Sequence, residues 1–401
     1  MAASSVALFC MPERGHLQRT LPIIQSIARR GYAVHVFADR QFARTVAHAG
    51  GTFHDLFAEG PLEGIDAESL PVPSRYVTFA AARAEAVAER VAALAPGLLL
   101  YDTFAVIARV VAGLLGLPAI NVCACHAMVP SRAIAAMAND SRVRTSRPCH
   151  DAVAALRARF GMADASPFSY LDGLSHVLNL YGEPQQFLGD ADRAAFEPIA
   201  FFGSLAPDLH APDPGPSQFR PKDGPRIYVS FGSVVWRYFP RAAESVLQRL
   251  ADETSGTGAD VVVSTAGHRP SPGTAKEMAR AGFRVESFVD QWAVLRHADL
   301  FVTHQGLNST HEAIWHGVPM LSCPFFADQP ALAERCSDLG LAVPLWTASD
   351  PSVEPGVVRA KLAALLGDAE GFKARLARAR QWEVQTIAGR DAIIDRVLSL
   401  V

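Results

Sequence analysis

Cysteine is scarce in this chain. Six cysteines in 401 residues, none in a CxxC pair, exclude a disulfide framework and a zinc ribbon as the basis of the fold. Cys123 and Cys125 flank Ala124 and read as strand residues rather than metal ligands. Lysine is scarcer still: Lys222, Lys276, Lys361 and Lys373 are the only ones. Arginine carries the rest of the positive charge, a compositional habit of a GC-rich genome. With 37 basic and 40 acidic residues the net charge is −3, so no nucleic-acid partner is expected. Long apolar runs are missing too. The longest, LLLYDTFAVIARVVAGLLGLPAINV, is interrupted by Asp102 and Arg109, so no membrane span is expected. The start, MAASSVALFCMPERGH, has no basic segment before its short apolar run, which argues against a secretory signal and for the cytoplasm. No GxSxG, GxxxxGK[ST] or HExxH occurs, and MPERGH follows the first strand where a dinucleotide site would place GxGxxG. His304, His311 and His316 are badly spaced for a metal, and none is expected.

What the chain has is 50% hydrophobic residues against 19% charged, the composition of a folded protein. Its length suits two domains of about 150–220 residues. SVALFC reads as a buried first strand, MPERGH as a loop, 17–30 as a helix and YAVHVFA as a second strand. LLLYD, AVIARVVAGLLG and PAINVC repeat that cycle, while 126–190 reads as helices and loops. A proline-rich linker at 207–225 breaks the rhythm, which restarts with RIYVSFGS and runs through DVVVSTA, FRVESFV, DLFVTH, PMLSCP and LAVPL. The expectation is an α/β chain of two Rossmann-like parallel-sheet domains, 1–206 and 226–375. A final segment, 376–401, should pack back on the first domain. Ligands of open α/β sheets bind at the carboxyl ends of the strands, so the two domains should face each other across a cleft.

Several strand ends carry chemistry. In DLFVTHQGLNSTHE a strand ends at Thr303, a turn contains Gly306 and a helix opens near Leu307. The free N–H groups of a helix mouth attract an anion. His304, Asn308 and Ser309 add donors there, and Glu312 can accept from sugar hydroxyls. A capping box, with Asn308 or Ser309 as N-cap and Glu312 as its partner, is the alternative. In YVSFGS, Gly232 allows close approach of a ligand and Ser233 can donate to it. Asp328 and Gln329 in PFFADQP suit a polyol, although Asp328 equally reads as a helix cap. Phe288 or Trp292 is placed to stack on a base or to join the core, and Gln291 to touch base or ribose. His16, read as a loop residue after the first strand, is the candidate general base. Asp102, ending LLLYD, is its candidate orienting acceptor, with a helix cap as the alternative role. Met128, Met137, Phe168, Tyr170 and Tyr181 suggest a pocket for an apolar acceptor.

These motifs resemble the two-domain (GT-B) nucleotide-sugar glycosyltransferases that modify small molecules, in particular the bacterial antibiotic-tailoring branch. The stretch from FVDQ at 288 to FFADQ at 329 carries the resemblance. It implies diphosphate binding by Ser233, His304, Gly306, Asn308 and Ser309. It also implies base and ribose contacts from Phe288, Val289, Gln291 and Glu312, and donor-sugar contacts from Asp328 and Gln329. His16 would be the base and Asp102 its partner. The related plant pattern has tryptophan where Phe288 stands and WAPQ where this chain reads FVDQ. The implied reaction is inverting and metal-independent. A sugar passes from a UDP- or TDP-sugar co-substrate to a hydroxyl or amine of a small aglycone, with no tightly bound cofactor. A nucleotide-sugar epimerase and a non-catalytic partner of a transferase are the competing readings. Monomer and homodimer both remain open.

Overall fold

The computed structural model describes residues 5–62, 66, 74–123, 125–141, 143–210, 217–221, 223–346 and 354–401. The chain divides into two compact units. Unit one is 1–206 with 386–401, and unit two is 207–385. The expected boundary at 375/376 thus falls inside one continuous helix, Ala369–Ala388, and the chain changes units near that helix's end. The reason is local: the helix runs on without a breaker until Gly389. The last helix, Arg390–Leu398, belongs to unit one. There Arg390 donates to the carbonyls of Phe202 (2.8 Å) and Gly203 (3.1 Å), and Arg30 pairs with Asp391 and Asp395.

Unit one is built on parallel strands β1 (Ser5–Phe9), β2 (Ala33–Ala38), β3 (Thr52–Asp55), β4 (Leu98–Asp102), β5 (Ala119–Cys123), β6 (Asn179–Tyr181) and β7 (Ile199–Phe201). Their spatial order is β3-β2-β1-β4-β5-β6-β7. Every residue of β1 and β4 is buried. This is why SVALF and LLLYD read as continuous apolar runs: helices cover both faces of a parallel sheet. One face carries the core of Phe9, Tyr101, Phe79, Val87 and Val111, under the helices Arg75–Ala92 and Val106–Leu115. The region 126–190 is not wholly helix and loop, because Asn179–Tyr181 is β6. At three residues it is too short to show a periodicity. Asn179 announces it only in three dimensions, bridging Asn121 on β5 and the carbonyls of Ser175 and Phe196.

Unit two repeats the plan with β8 (Arg226–Ser230), β9 (Asp260–Ser264), β10 (Arg284–Glu286), β11 (Leu300–Thr303), β12 (Met320–Ser322) and β13 (Ala342–Pro344). The order is β10-β9-β8-β11-β12-β13, all parallel. In both units the chain winds outward one way from its first strand, then returns to that strand's other side. The switch lies between β1 and β4 in unit one and between β8 and β11 in unit two. A crevice at the carboxyl ends is expected at such a switch point. No helix among the described residues is long and apolar enough to cross a membrane.

Candidate active site: two strand-end clusters

The first cluster sits at the β1/β4 switch point. Phe9 and Tyr101 are in register, so Met11 and Asp102 emerge side by side. Asp102 is 1% exposed and fully engaged. Its Oδ2 accepts from Met11 N at 2.8 Å, and its Oδ1 accepts from Phe104 N at 2.9 Å and meets His16 Nδ1 at 2.8 Å. Burial alone would raise this carboxyl's pKa. The adjacent imidazole and the two backbone amides outweigh it and hold the group below the usual carboxylate range. The capping alternative for Asp102 fails in its simple form, since Ala105 is the N-cap residue of the following helix. His16 is not in the loop. It is the third residue of the helix Arg14–Ala28, which starts earlier than the apolar periodicity showed. The turn between β1 and that helix is only Cys10–Glu13, with Glu13 N donating to Met11 O. A helical His16 has its ring aimed by a rigid backbone, and Phe104 packs against it at 4.6 Å. With Nδ1 facing a carboxylate, the imidazole is held with Nε2 as its acceptor nitrogen.

The second cluster sits at the β8/β11 switch point. Ser230 and Thr303 are in register, which brings Gly232 and His304 together just beyond the strands. Two glycines make room for the ring. A Cβ on Gly232 would lie 2.8 Å from His304 Nε2, and one on Gly306 would overlap it outright. Burial pushes the His304 pKa down to about 4, against the pull of the Ser230 backbone. The ring is therefore neutral near pH 7, a donor without charge. Gly306 is the N-cap of the helix Leu307–His316, with no side-chain cap and no acidic residue in its first turn. The capping-box reading of Asn308, Ser309 and Glu312 therefore fails. Glu312 instead accepts from Gln291 Nε2 at 2.8 Å, and the same nitrogen donates to Ser309 Oγ at 3.1 Å. Burial raises the Glu312 carboxyl to about 7, with Gln291 pulling the other way.

Phe288 and Trp292 separate cleanly. Trp292 is 4% exposed and stacked on His210 at 4.1 Å, hence core. Phe288 is 65% exposed, a large aromatic face with no core to serve, and Val289 beside it is half-buried. Both lie past β10, which ends at Glu286 and not within SFV. Ser233 is exposed in the helix Gly232–Tyr238. Asp328 occupies the N-cap position of the helix Gln329–Asp338 but makes no side-chain cap. Gln329 turns inward, its Oε1 accepting from the amides of Phe325 (2.9 Å) and Phe326 (3.3 Å). That oxygen therefore shapes the loop. In unit one, Tyr170 and Tyr181 are each 1% exposed and belong to the core, whereas Met128 lines a small cavity with Thr103 and Cys125. No cluster of three or more His, Cys, Asp or Glu side chains arranged for a metal occurs among the described residues.

The sequence reading missed Gln305. It adopts φ +60°, strained for a side-chain-bearing residue, and is fully buried. Its Nε2 donates to Thr310 Oγ1 at 2.9 Å and its Oε1 accepts from Ser322 on β12, which locks the turn between His304 and Gly306. Nothing local marks it, since its partners are five and 17 residues away. His311 was also given no role. Its Nδ1 meets Glu383 at 2.5 Å, both side chains fully buried, and this anchors the Leu307–His316 helix to Ala369–Ala388.

Residues 220–352 match the sequence model of the family described as "UDPGT: UDP-glucoronosyl and UDP-glucosyl transferase". The chain is 25% identical over 342 residues to the "Uncharacterized UDP-glucosyltransferase YdhE" of Bacillus subtilis (strain 168), covering 84% of each chain. Among solved structures it is similar to the glycotransferase of kitacinnamycin, with TM-score 0.76 and 24% identity over 99% of this chain and 100% of that one. It is also similar to CalG4, the calicheamicin glycosyltransferase, with TM-score 0.70 and 23% identity over 100% and 98%. These structures share the GT-B fold.

Proposed function

We propose that this glycosyltransferase, whose residues 220–352 match the UDPGT family model, moves a sugar from a UDP- or TDP-sugar to a hydroxyl of a small natural-product aglycone, with inversion. The observation that carries the reading is the His16–Asp102 pair at 2.8 Å, held at a switch point by a fully engaged carboxylate. His16 Nε2 takes the acceptor's O–H proton as that oxygen bonds to the anomeric carbon. The bond from that carbon to the diphosphate oxygen breaks, and its electron pair leaves with the nucleoside diphosphate. Asp102 stabilises the imidazolium that forms. The leaving charge meets the open amides of the Leu307–His316 helix, neutral His304 and Ser233. Phe288 stacks on the base, and Glu312 accepts from the ribose hydroxyls. Asp328 and the Gln329 amide hold the sugar. The step invokes no metal ion: a helix mouth and neutral donors take the charge.

The test is to incubate the purified chain with α-configured UDP-glucose or TDP-glucose and a panel of phenolic and polyketide acceptors. Mass spectrometry should show one hexosyl unit added, and the anomeric proton coupling should report a β-glycoside. An α-product would overturn inversion. Conversion of the donor without any acceptor would move the assignment to an epimerase.

A further inference from the structure

Unit one contains another charged group near His16 that the transfer step leaves unused. Arg19 follows His16 by three residues on the helix Arg14–Ala28, and residues at that spacing share a helix face. Only 8% of Arg19 is exposed. Its Nε and Nη1 are sealed from solvent and have no hydrogen-bond partner. A buried guanidinium without an acceptor is costly, because nothing replaces the water it loses. Its surroundings locate it. A Cβ on Gly182, just past β6, would lie 3.6 Å from Arg19 Cδ. Its charge is felt at the thiols of Cys10, directly after β1, and Cys123, at the end of β5. Cys123 is also a wall of the small cavity shared by Thr103, Cys125, Met128 and Phe196.

The carboxylates felt by the same two thiols are Asp102, Glu13 and Glu183. Asp102 serves His16 and two amides. Glu13 accepts from the Tyr76 hydroxyl at 3.3 Å. Glu183 faces His126 Nδ1 at 2.8 Å, both buried. None of them pairs with Arg19. A structural arginine would be held by one of these neighbours or by carbonyls, as Arg390 is through Nε and Nη2.

We propose that Arg19 binds a carboxylate on the acceptor, on the same small molecule whose hydroxyl His16 deprotonates. The guanidinium presents a planar fork of donors that matches a carboxylate, and shielding from water strengthens the pair. The acceptors are then acidic hydroxylated compounds rather than neutral ones. This rests on the proposed role of His16, in unit one, as the base for the acceptor hydroxyl.

The test uses 7-hydroxycoumarin-3-carboxylate and its neutral 3-carboxamide. Binding of each to the full chain is followed by fluorescence without donor, and sugar transfer is followed separately with UDP-glucose. Wild type should bind the carboxylate about tenfold more tightly than the carboxamide, the ratio expected of one charge-assisted hydrogen-bonded contact. Arg19→Met should abolish that ratio while UDP still binds as in wild type. The wild-type comparison needs no variant, so a misfolded Arg19→Met protein would not blunt it. Equal binding of the two probes, no binding of the carboxylate, or a preference that survives Arg19→Met overturns the proposal. A carboxylate preference without transfer would count against the transfer reading and leave Arg19 standing. Transfer to both probes without preference would do the reverse.

Discussion

His16 and His304 stand in similar sequence settings. Each lies beyond the carboxyl end of a strand, His304 directly after β11 and His16 in the helix that follows β1, and each has a glycine beside or near it. The fold then treats them in opposite ways. His16 meets a buried carboxylate at 2.8 Å. His304 meets two glycines and a desolvated pocket, and its pKa falls to about 4. One histidine faces a carboxylate and the other an uncharged, desolvated pocket. A histidine's role is therefore set by what lies opposite its ring, here a neighbouring strand's end in both cases.

Breaking the carboxylate-paired member should have the largest effect. His16→Ala should lower kcat/KM by about 10²- to 10⁴-fold, the usual contribution of a general base. Calorimetric titration with UDP should be unchanged, and unaltered turnover would remove His16 from the chemistry. Breaking the neutral member calls for a change in its walls. Gly306→Ala puts a methyl where the His304 ring lies, an overpacking that costs about 1–3 kcal/mol. UDP binding should weaken about 5- to 150-fold. The His16–Asp102 pair, in the other unit, should be untouched, as unchanged NMR signals of the His16 imidazole would reveal. Phe288→Ala sharpens the contrast between exposed and buried aromatics. Loss of a stacking face should weaken UDP binding by about fivefold or more. Thermal stability should barely move, because Phe288 is 65% exposed.

The smallest effect is a pH slope from Glu312. Its folded-state pKa is raised to about 7 from an ordinary value of 4.5. The stability it contributes is therefore fully present below about pH 4.5 and is lost as pH rises through about 7. Unfolding midpoints of wild type should fall across that window relative to Glu312→Gln, which cannot ionise. Parallel pH curves for the two proteins would refute the assignment. His304 has the opposite sense. Its depressed pKa removes stability as pH falls from its usual 6.5 towards about 4, so the two slopes oppose each other over the same acidic window and only the comparison with Glu312→Gln isolates the carboxyl's share.

Much of this was legible from the residues. The apolar runs SVALF, LLLYD and RIYVS announced parallel strands because both of their faces are covered. The turn after Thr303 announced a helix mouth because glycine and polar residues cluster there. The rest needed partners distant in sequence. His16 reads as loop because its helix begins with Arg14 and Gly15, before any apolar stripe is visible. Asn308, Ser309 and Glu312 allow a capping box as well as an anion site because the pattern is local, yet Gln291, 21 residues from Glu312, takes that carboxylate instead. Trp292 and Phe288 are alike on paper. Packing against His210, Trp315 and His316 buries one of them, and the other stays exposed.

By itself, then, the sequence determined two α/β units, their chemistry-bearing strand ends and the types of group at each. These follow from short-range rules: burial sets strand composition, and glycine and polar residues mark turns. The strand order was decided by the tertiary structure alone. Placing β4 beside β1 joins Asp102 to His16 across 86 residues, and placing β11 beside β8 joins His304 to Gly232. Pairing between parallel strands far apart in the chain leaves no periodic trace, because any buried strand is apolar enough to pair with any other. The switch points, and with them the sites, exist only once the sheets have closed.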